Sequence, residues 1–309
     1  MIRQARPAWP ILAVLITAAL GAAACGSSSP APSAGSSSSA PASSASPRGS
    51  GPVDVLYAGS LVNAMQNQIG PAFGSATGYT FQGYGAGSTA VANAIKGKVK
   101  VGDVFISAAA DADTALEGTA NGSWVSWYST FGSSPLLIGY NPASTFATDL
   151  KTMPWYKVLT MSGIKIGRTD PVSDPKGKLT VKALTAAQTT YKLPGFAAAV
   201  EKNSTVFPEE TLVGRLQSGQ LDAGFFYSLE STPKNIPTVT LGSVKEAATF
   251  TVTVLNNAPH PAGAAAFIAY LLGPLGTATL SADGMALKTP AVTGDKSAVP
   301  ASLASVVGG

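Results

Sequence analysis

The stretch Val55-Leu56-Tyr57-Ala58-Gly59-Ser60-Leu61 reads as the end of a buried strand running directly into a helix. The chain repeats the design at Gly83-Tyr84-Gly85-Ala86-Gly87-Ser88-Thr89. Junctions of this kind belong to open α/β sheets, where ligands collect beyond the carboxyl ends of strands and helix amino termini present unpaired N–H groups. Glycine lets the backbone come close to whatever is bound, and the serine adds a hydroxyl. Ser60 or Ser88 alone would be read as a helix N-cap. Two such junctions in succession, aimed at one crevice, would make a donor-only site for an oxyanion, with the helix dipoles adding partial positive charge.

Outward from these junctions, short apolar strands alternate with helical stretches. Strands are expected at Val53–Ala58, Thr80–Tyr84, Val104–Ser107, Pro135–Tyr140, Ile164–Gly167, Ala223–Tyr227 and Thr249–Leu255. Helices are expected at Leu61–Phe73, Thr89–Ile95, Leu179–Tyr191, Pro208–Gln217, Pro261–Leu272 and Pro274–Ala282, the last two opening on proline, a favoured first helical residue. The pattern predicts an α/β protein with mainly parallel sheets.

The amino terminus has a different character. Arg3 and Arg6 precede an apolar run from Ile11 to Leu20, which ends in the small residues Ala22-Ala23-Ala24 before Cys25. That is the layout of an export signal, and the run is short for a membrane-spanning helix, which needs about 20 apolar residues. The segment resembles the lipobox of bacterial lipoproteins, with Ala22 where that pattern usually has Leu. The resemblance implies cleavage ahead of Cys25 and a lipid on its thiol. Residues 26–52 are nearly all Ser, Ala, Pro and Gly, a composition that buries too little apolar surface to offset chain entropy, and they read as a disordered tether. Cys25 is the only cysteine, so the folded part is held by packing without disulfides. Arg3, Arg6 and Arg48 account for three of the 20 basic residues, while all 16 acidic ones follow Pro52. The folded part is therefore nearly neutral. With its lysines dispersed, it offers no basic stripe for nucleic acid.

Four segments carry a further likeness: Tyr57-Ala58-Gly59-Ser60-Leu61-Val62-Asn63-Ala64-Met65-Gln66, Gly87-Ser88-Thr89, Gly102-Asp103-Val104-Phe105-Ile106-Ser107-Ala108, and Leu221-Asp222-Ala223-Gly224-Phe225-Phe226-Tyr227. In this order they resemble the molybdate and tungstate substrate-binding proteins of ABC importers, over about Val53 to Ala286. The resemblance implies a type II periplasmic-binding-protein-like fold, with two lobes joined by two crossover strands. One lobe would comprise residues 53–134 plus 252–309 and the other 135–251, with the ligand in the cleft between them. It implies that Ser60, with Gly59 beside it, Ser88 and the Tyr227 hydroxyl bind the oxyanion. The segment Arg168-Thr169-Asp170-Pro171-Val172-Ser173-Asp174-Pro175-Lys176-Gly177 looks like the family's Asp-Pro loop, which implies backbone N–H donation from Lys176 and Gly177. In the branch described as tungstate-binding, an aspartate here and a glutamate on a following helix coordinate the metal centre. Those positions correspond to Asp174 and Glu209, the latter next to Glu210.

Each of these acids has a simpler reading, Asp174 in an Asp-Pro turn and Glu209 in a first helical turn where the dipole favours acids. Coordination would discriminate between anions. A carboxylate beside a dianion in a low-dielectric cleft is repelled unless it bonds to the central atom, and sulfur in sulfate does not expand its coordination as molybdenum and tungsten do. Sulfate, thiosulfate and ferric iron remain as alternative ligands, since one fold hosts many. A secreted hydrolase using Ser60 or Ser88 would need a general base. His260, the only histidine, lies between Pro259 and Pro261 and reads as a solvent-facing turn residue. Asp103 reads as structural, and Trp124, Trp127 and Tyr128 as one small apolar cluster. The expectation is a monomeric binding protein and not an enzyme. It would be exported and lipid-anchored to the outer face of the cytoplasmic membrane, take molybdate or tungstate as transported ligand with no cofactor, and dock on an ABC permease.

Overall fold

The structure is a computed structural model that describes residues 49–308. The signal reading, the Cys25 anchor and the tether up to Arg48 lie outside the described residues. The last of the tether is bonded into the fold. The Gly49 N–H donates to the Thr77 carbonyl at 2.9 Å, and the first strand starts at Pro52.

Ten strands form one mixed sheet: β1 Pro52–Ala58, β2 Thr80–Ala86, β3 Val104–Ser107, β4 Trp127–Tyr140, β5 Ile166–Arg168, β6 Ser204–Val206, β7 Ala223–Tyr227, β8 Thr238–Thr240, β9 Ala247–Val254 and β10 Ala286–Gly294. β1 pairs in parallel with β2 and β3, and β5 pairs in parallel with β6 and β7. Every antiparallel pairing involves β4 or β9. Two parallel units are thus joined by two strands of opposite sense, the two-lobed arrangement expected from the sequence. β4 makes the join visible. Trp127–Pro135 pairs with β9 and β10, whereas Leu136–Tyr140 pairs with β7 and β8. β9 pairs with the first half of β4 from Ala247 onward.

Strand alternation explains why both faces of each unit are covered. Val53, Val55 and Tyr57 on β1 and Val104 and Ile106 on β3 belong to the main apolar core. Leu56 and Phe105 turn the other way, onto a second core with Val91, Ile95 and Leu116. In the second lobe Phe225 and Tyr227 face the main core, and Phe226 faces Leu212, Leu216 and Leu221. Burying each such side chain contributes about 1.5–3 kcal/mol. The same alternation corrects the aromatic cluster. Trp127 and Tyr128 are adjacent on β4 and point to opposite faces, so Trp127 joins the main core, while Tyr128 and Trp124 join the second.

The first helical run spans Gly59–Thr77 and contains a π turn at Met65–Ile69. That turn lies just ahead of Pro71, whose ring carries no N–H for an ordinary α-helical bond. His260 also differs from its reading. It is half-buried, its backbone N–H donates to Asp103 Oδ1 at 2.6 Å, and its Nδ1 lies 3.0 Å from Asp103 Oδ2. Asp103 further accepts the Asp54 N–H at 2.7 Å. This buried carboxylate therefore ties β1, β3 and the start of helix Pro261–Leu272 together, the structural role expected of it.

Candidate functional site

Four strand ends supply the site. Ser60 follows β1 in a 3-10 turn, Ser88 opens helix Ser88–Lys96 after β2, Asp174 precedes helix Pro175–Thr190 after β5, and Tyr227 ends β7. Glu209 opens helix Glu209–Gln217. All five are buried, Ser60 being 4% exposed and Tyr227 0%. Glu210, next to Glu209, is exposed, so burial singles out one of the adjacent acids.

Neither serine caps a helix with its side chain. Ala58 and Gly87 occupy the N-cap positions, and neither turn has a side-chain capping bond. The Ser60 hydroxyl is buried with no hydrogen-bond partner. Ser88 Oγ accepts the Ala108 N–H at 3.0 Å, which leaves its proton free to donate. The turn that places Ala108 is itself held, because Ser107 Oγ donates to the buried Asp113 carboxylate at 2.8 Å, as does Thr251 Oγ1 at 2.6 Å.

The two oxygens of Asp174 differ. Its Oδ1 caps helix Pro175–Thr190 by accepting the Lys176 N–H at 2.9 Å, while Oδ2 is buried without a partner. This corrects the expected role of Lys176, because its amide is occupied by Asp174. Its side chain contributes instead. Lys176 is fully buried, with Nζ 2.7 Å from Glu230 Oε1 and 3.4 Å from Glu209 Oε1. Gly177 packs where a Cβ would stand 2.5 Å from the Asp170 backbone, so it seats the Asp-Pro loop on the helix.

Among the described residues, both Glu209 carboxylate oxygens are buried without a well-formed hydrogen bond, as are Tyr227 Oη and Thr169 Oγ1, although the Ser60 N–H lies near Glu209 and the Thr169 hydroxyl near Asp174. A buried polar atom without a partner costs about 1–3 kcal/mol, and folded proteins carry few of them. Their concentration on these elements marks a place where polarity is kept for something other than the fold. The electrostatics agree. Burial, then the nearby Asp174, pushes the Glu209 carboxyl well above the usual carboxylate range. Burial raises Asp174 and Glu230 as well, with Lys176 opposing in both cases. For Lys176 burial acts to lower its value, but Glu230, Glu209 and Asp174 together raise it, so the ammonium stays charged. Burial and the three carboxylates push the Tyr227 phenol well up, which keeps it a proton donor.

The two lobes meet closely here. The Ala90 N–H donates to the Ser173 carbonyl at 3.0 Å, and an exposed ion pair joins Lys178 to Asp111 at 2.8 Å. Two glycines permit the approach. A Cβ on Gly87 would stand 2.6 Å from the Ser173 carbonyl oxygen, and one on Gly59 would stand 2.9 Å from Glu209 Oε2. Glu209 lines two clefts, one with Ser60, Asn63 and Glu230, the other with Gly87, Ser173 and Asp174.

The sequence profile of the bacterial extracellular solute-binding proteins matches residues 53–286, most of the chain. The protein belongs to that family. Among curated relatives of this solute-binding protein, a Haloferax volcanii protein provisionally named an ABC transporter molybdenum-binding protein is 30% identical over 186 residues, 60% of this chain and 58% of the relative. The molybdate/tungstate-binding protein WtpA of Thermococcus kodakarensis is 26% identical over 206 residues, 50% of this chain and 58% of the relative. The matches thus span a little over half of each of these two relatives. The Azotobacter vinelandii periplasmic molybdate-binding protein superposes with a TM-score of 0.60 at 20% identity, covering 76% of this chain and 99% of that one. The sulfate-binding protein SubI of Mycobacterium tuberculosis gives 0.60 at 16% identity, covering 84% and 92%. At such identities the likeness carries the fold, which is that of a periplasmic binding protein.

Of the residues singled out in the sequence, Gly59, Ser60, Asp174, Glu209 and Tyr227 fall on this shared buried ground, with Ser88 one residue beyond Gly87. Glu230 and the Lys176 ammonium were missed. A signal for Glu230 existed. It stands three residues after Tyr227 at a strand-to-helix junction, the spacing of a capping acid, and its Oε2 accepts the Tyr227 N–H at 2.8 Å.

Proposed function

We propose that this solute-binding protein captures molybdate or tungstate between its lobes and delivers it to an ABC importer. The observation that carries the reading is the Glu209 carboxylate, buried with neither oxygen in a well-formed hydrogen bond among the described residues, and accompanied by Oδ2 of Asp174 in the same condition. Hydroxyl donors at Ser60, Ser88 and Tyr227 suit the oxygens of a tetrahedral oxyanion. Two buried carboxylates with oxygens that accept no hydrogen bond do not suit them, and their burial is intelligible if they bind the central atom. Molybdenum and tungsten accept such additional oxygen ligands and sulfur does not, so the same pair would exclude sulfate. The names of the Haloferax and Thermococcus relatives support this reading.

Capture would proceed by closure about the β4 and β9 crossings, between lobes of residues 53–134 plus 252–309 and 135–251. The ligand would favour the closed form because only that form brings Asp174 and Glu209 against Ser60 and Ser88. A hydrolytic use of the serines has no support in the geometry. Among the described residues, no hydrogen bond joins His260 to either serine, and His260 is engaged with Asp103.

The protein would act as a monomer, held by a lipid on Cys25 to the outer face of the cytoplasmic membrane within reach of its permease. An intact mass of the mature protein that places an unmodified residue other than Cys25 at the amino terminus would remove the anchor.

Absorption spectroscopy at the tungsten L3 edge of the tungstate-loaded protein tests the coordination. A first shell of about six oxygens is expected, four from the oxyanion and the rest from Asp174 and Glu209. A tetrahedral shell of four would return both acids to structural roles.

A further inference from the structure

Three buried carboxylates, Asp174, Glu209 and Glu230, share one ammonium, Lys176. Asp174 and Glu209 have free oxygens, and Glu230 has none. Its Oε1 holds Lys176 Nζ at 2.7 Å, and its Oε2 holds the Tyr227 N–H at 2.8 Å. Glu230 thus has no lone oxygen for a ligand, yet it adds a negative charge to a cleft proposed to receive a dianion. Lys176 lies nearer to Glu230 than to Glu209, at 2.7 against 3.4 Å, and only the shorter contact is a hydrogen bond. The ammonium is therefore hydrogen-bonded to Glu230 and joined to Glu209 only as a longer ion pair.

We propose that Glu230 is a specificity-determining positioning residue, which draws Lys176 off Glu209 so that the Glu209 carboxylate stays free to bind a metal centre while the cleft stays net negative. The inference rests on the molybdate and tungstate reading. A plain tetrahedral dianion such as sulfate meets this charge with nothing to offset it, because it accepts no carboxylate ligand. An oxyanion whose central atom expands its coordination turns two of the three charges into bonds. Without the Glu230 charge, Lys176 closes on Glu209 as a tight ion pair. The free carboxylate is then masked, and the cleft loses part of its repulsion toward sulfate.

The alternative is that the Lys176–Glu230 pair only fastens helix Pro175–Thr190 to the end of β7. Glu230→Gln separates the two, since glutamine is nearly isosteric and its carbonyl oxygen still accepts one of these hydrogen bonds. Titration calorimetry of wild type and variant with molybdate, tungstate and sulfate gives the affinity ratio directly. Glu230→Gln is expected to reduce the molybdate-to-sulfate and tungstate-to-sulfate ratios at least tenfold. Glu230→Asp, which keeps the charge, is expected to stay closer to wild type. The double variant Lys176→Met, Glu230→Gln removes the cation that would mask Glu209, and its ratio is expected to recover relative to Glu230→Gln. It also leaves Asp174 and Glu209 without a cation, so its melting temperature is measured beside its affinities, and the comparison of wild type with Glu230→Asp carries the test if it does not fold.

Equal losses for all three anions in Glu230→Gln, with the ratios unchanged, would overturn the proposal, as would a ratio in the double variant as low as in the single one. Failure of the wild-type protein to bind molybdate or tungstate would instead overturn the reading on which it rests.

Discussion

Glu209→Gln is expected to weaken molybdate and tungstate binding by roughly a hundredfold or more, about 2.7 kcal/mol, with little loss of folding stability. The variant keeps the shape of the side chain and removes the charge that would bond to the metal centre. The small cost to the fold follows from the environment. Among the described residues, both carboxylate oxygens lack a well-formed hydrogen bond, and the one cation in contact, Lys176, lies at 3.4 Å and is bonded to Glu230. The pH dependence has a definite sign. Because burial raises the Glu209 carboxyl in the folded protein, its contribution to stability is fully present below the unfolded carboxylate value. That contribution is lost as pH rises through the folded value. Thermal melts of wild type and variant should therefore diverge in favour of Glu209→Gln as pH rises from the ordinary carboxylate range toward neutrality. A variant that binds as tightly as wild type would reduce Glu209 to a first-turn acid that complements its helix dipole.

Gly87→Val is expected to abolish tight binding of every anion, again by a hundredfold or more, for a different reason. A Cβ at this position would stand 2.6 Å from the Ser173 carbonyl oxygen and 3.2 Å from Asp174 Cα, backbone atoms that cannot swing aside. The clash lies between lobes, so opening relieves it. Small-angle scattering should then show no compaction on adding ligand, and the melting temperature without ligand should stay close to that of wild type. Gly59→Ala provides the contrast. Its Cβ would meet Glu209 Oε2 at 2.9 Å and Glu209 Cβ at 3.1 Å, so the Glu209 side chain is displaced, and the loss is expected to approach that of Glu209→Gln while closure of the lobes stays unobstructed. A Gly87→Val protein that bound normally would show that capture does not need this approach of the lobes.

Much of the site was legible because strand-to-helix junctions are local. Glycine and serine at the ends of β1 and β2 are neighbours in sequence, and the Asp-Ala-Gly run that leads to Tyr227 is a short apolar strand. β4 was read only in part. Its first half carries Ser129, Thr130, Gly132, Ser133 and Ser134, which interrupt the apolar pattern, and it is held as a strand by pairing with β9 and β10. β10, Ala286–Gly294, was invisible for a related reason. It is largely exposed and contains Pro290, so its identity comes from its partner and not from its own composition.

The electrostatic part of the site was the least legible. Lys176 and Glu230 are 54 positions apart, and nothing in either local sequence shows that helix Pro175–Thr190 would carry an ammonium to the end of β7. The resemblance gives Lys176 a role through its amide, but the Asp174 side chain, two residues before it, takes that N–H in an ordinary capping bond. The capping reading of Asp174 leaves the proposed ligand role open, since the cap uses Oδ1 and not Oδ2.

The most direct test of the account is calorimetric titration of the protein with molybdate, tungstate and sulfate under one set of conditions. The account predicts saturable one-to-one binding of molybdate and tungstate and, at equal concentrations, little or no heat from sulfate. Sulfate bound as tightly as molybdate, or no binding of molybdate and tungstate at all, would contradict it.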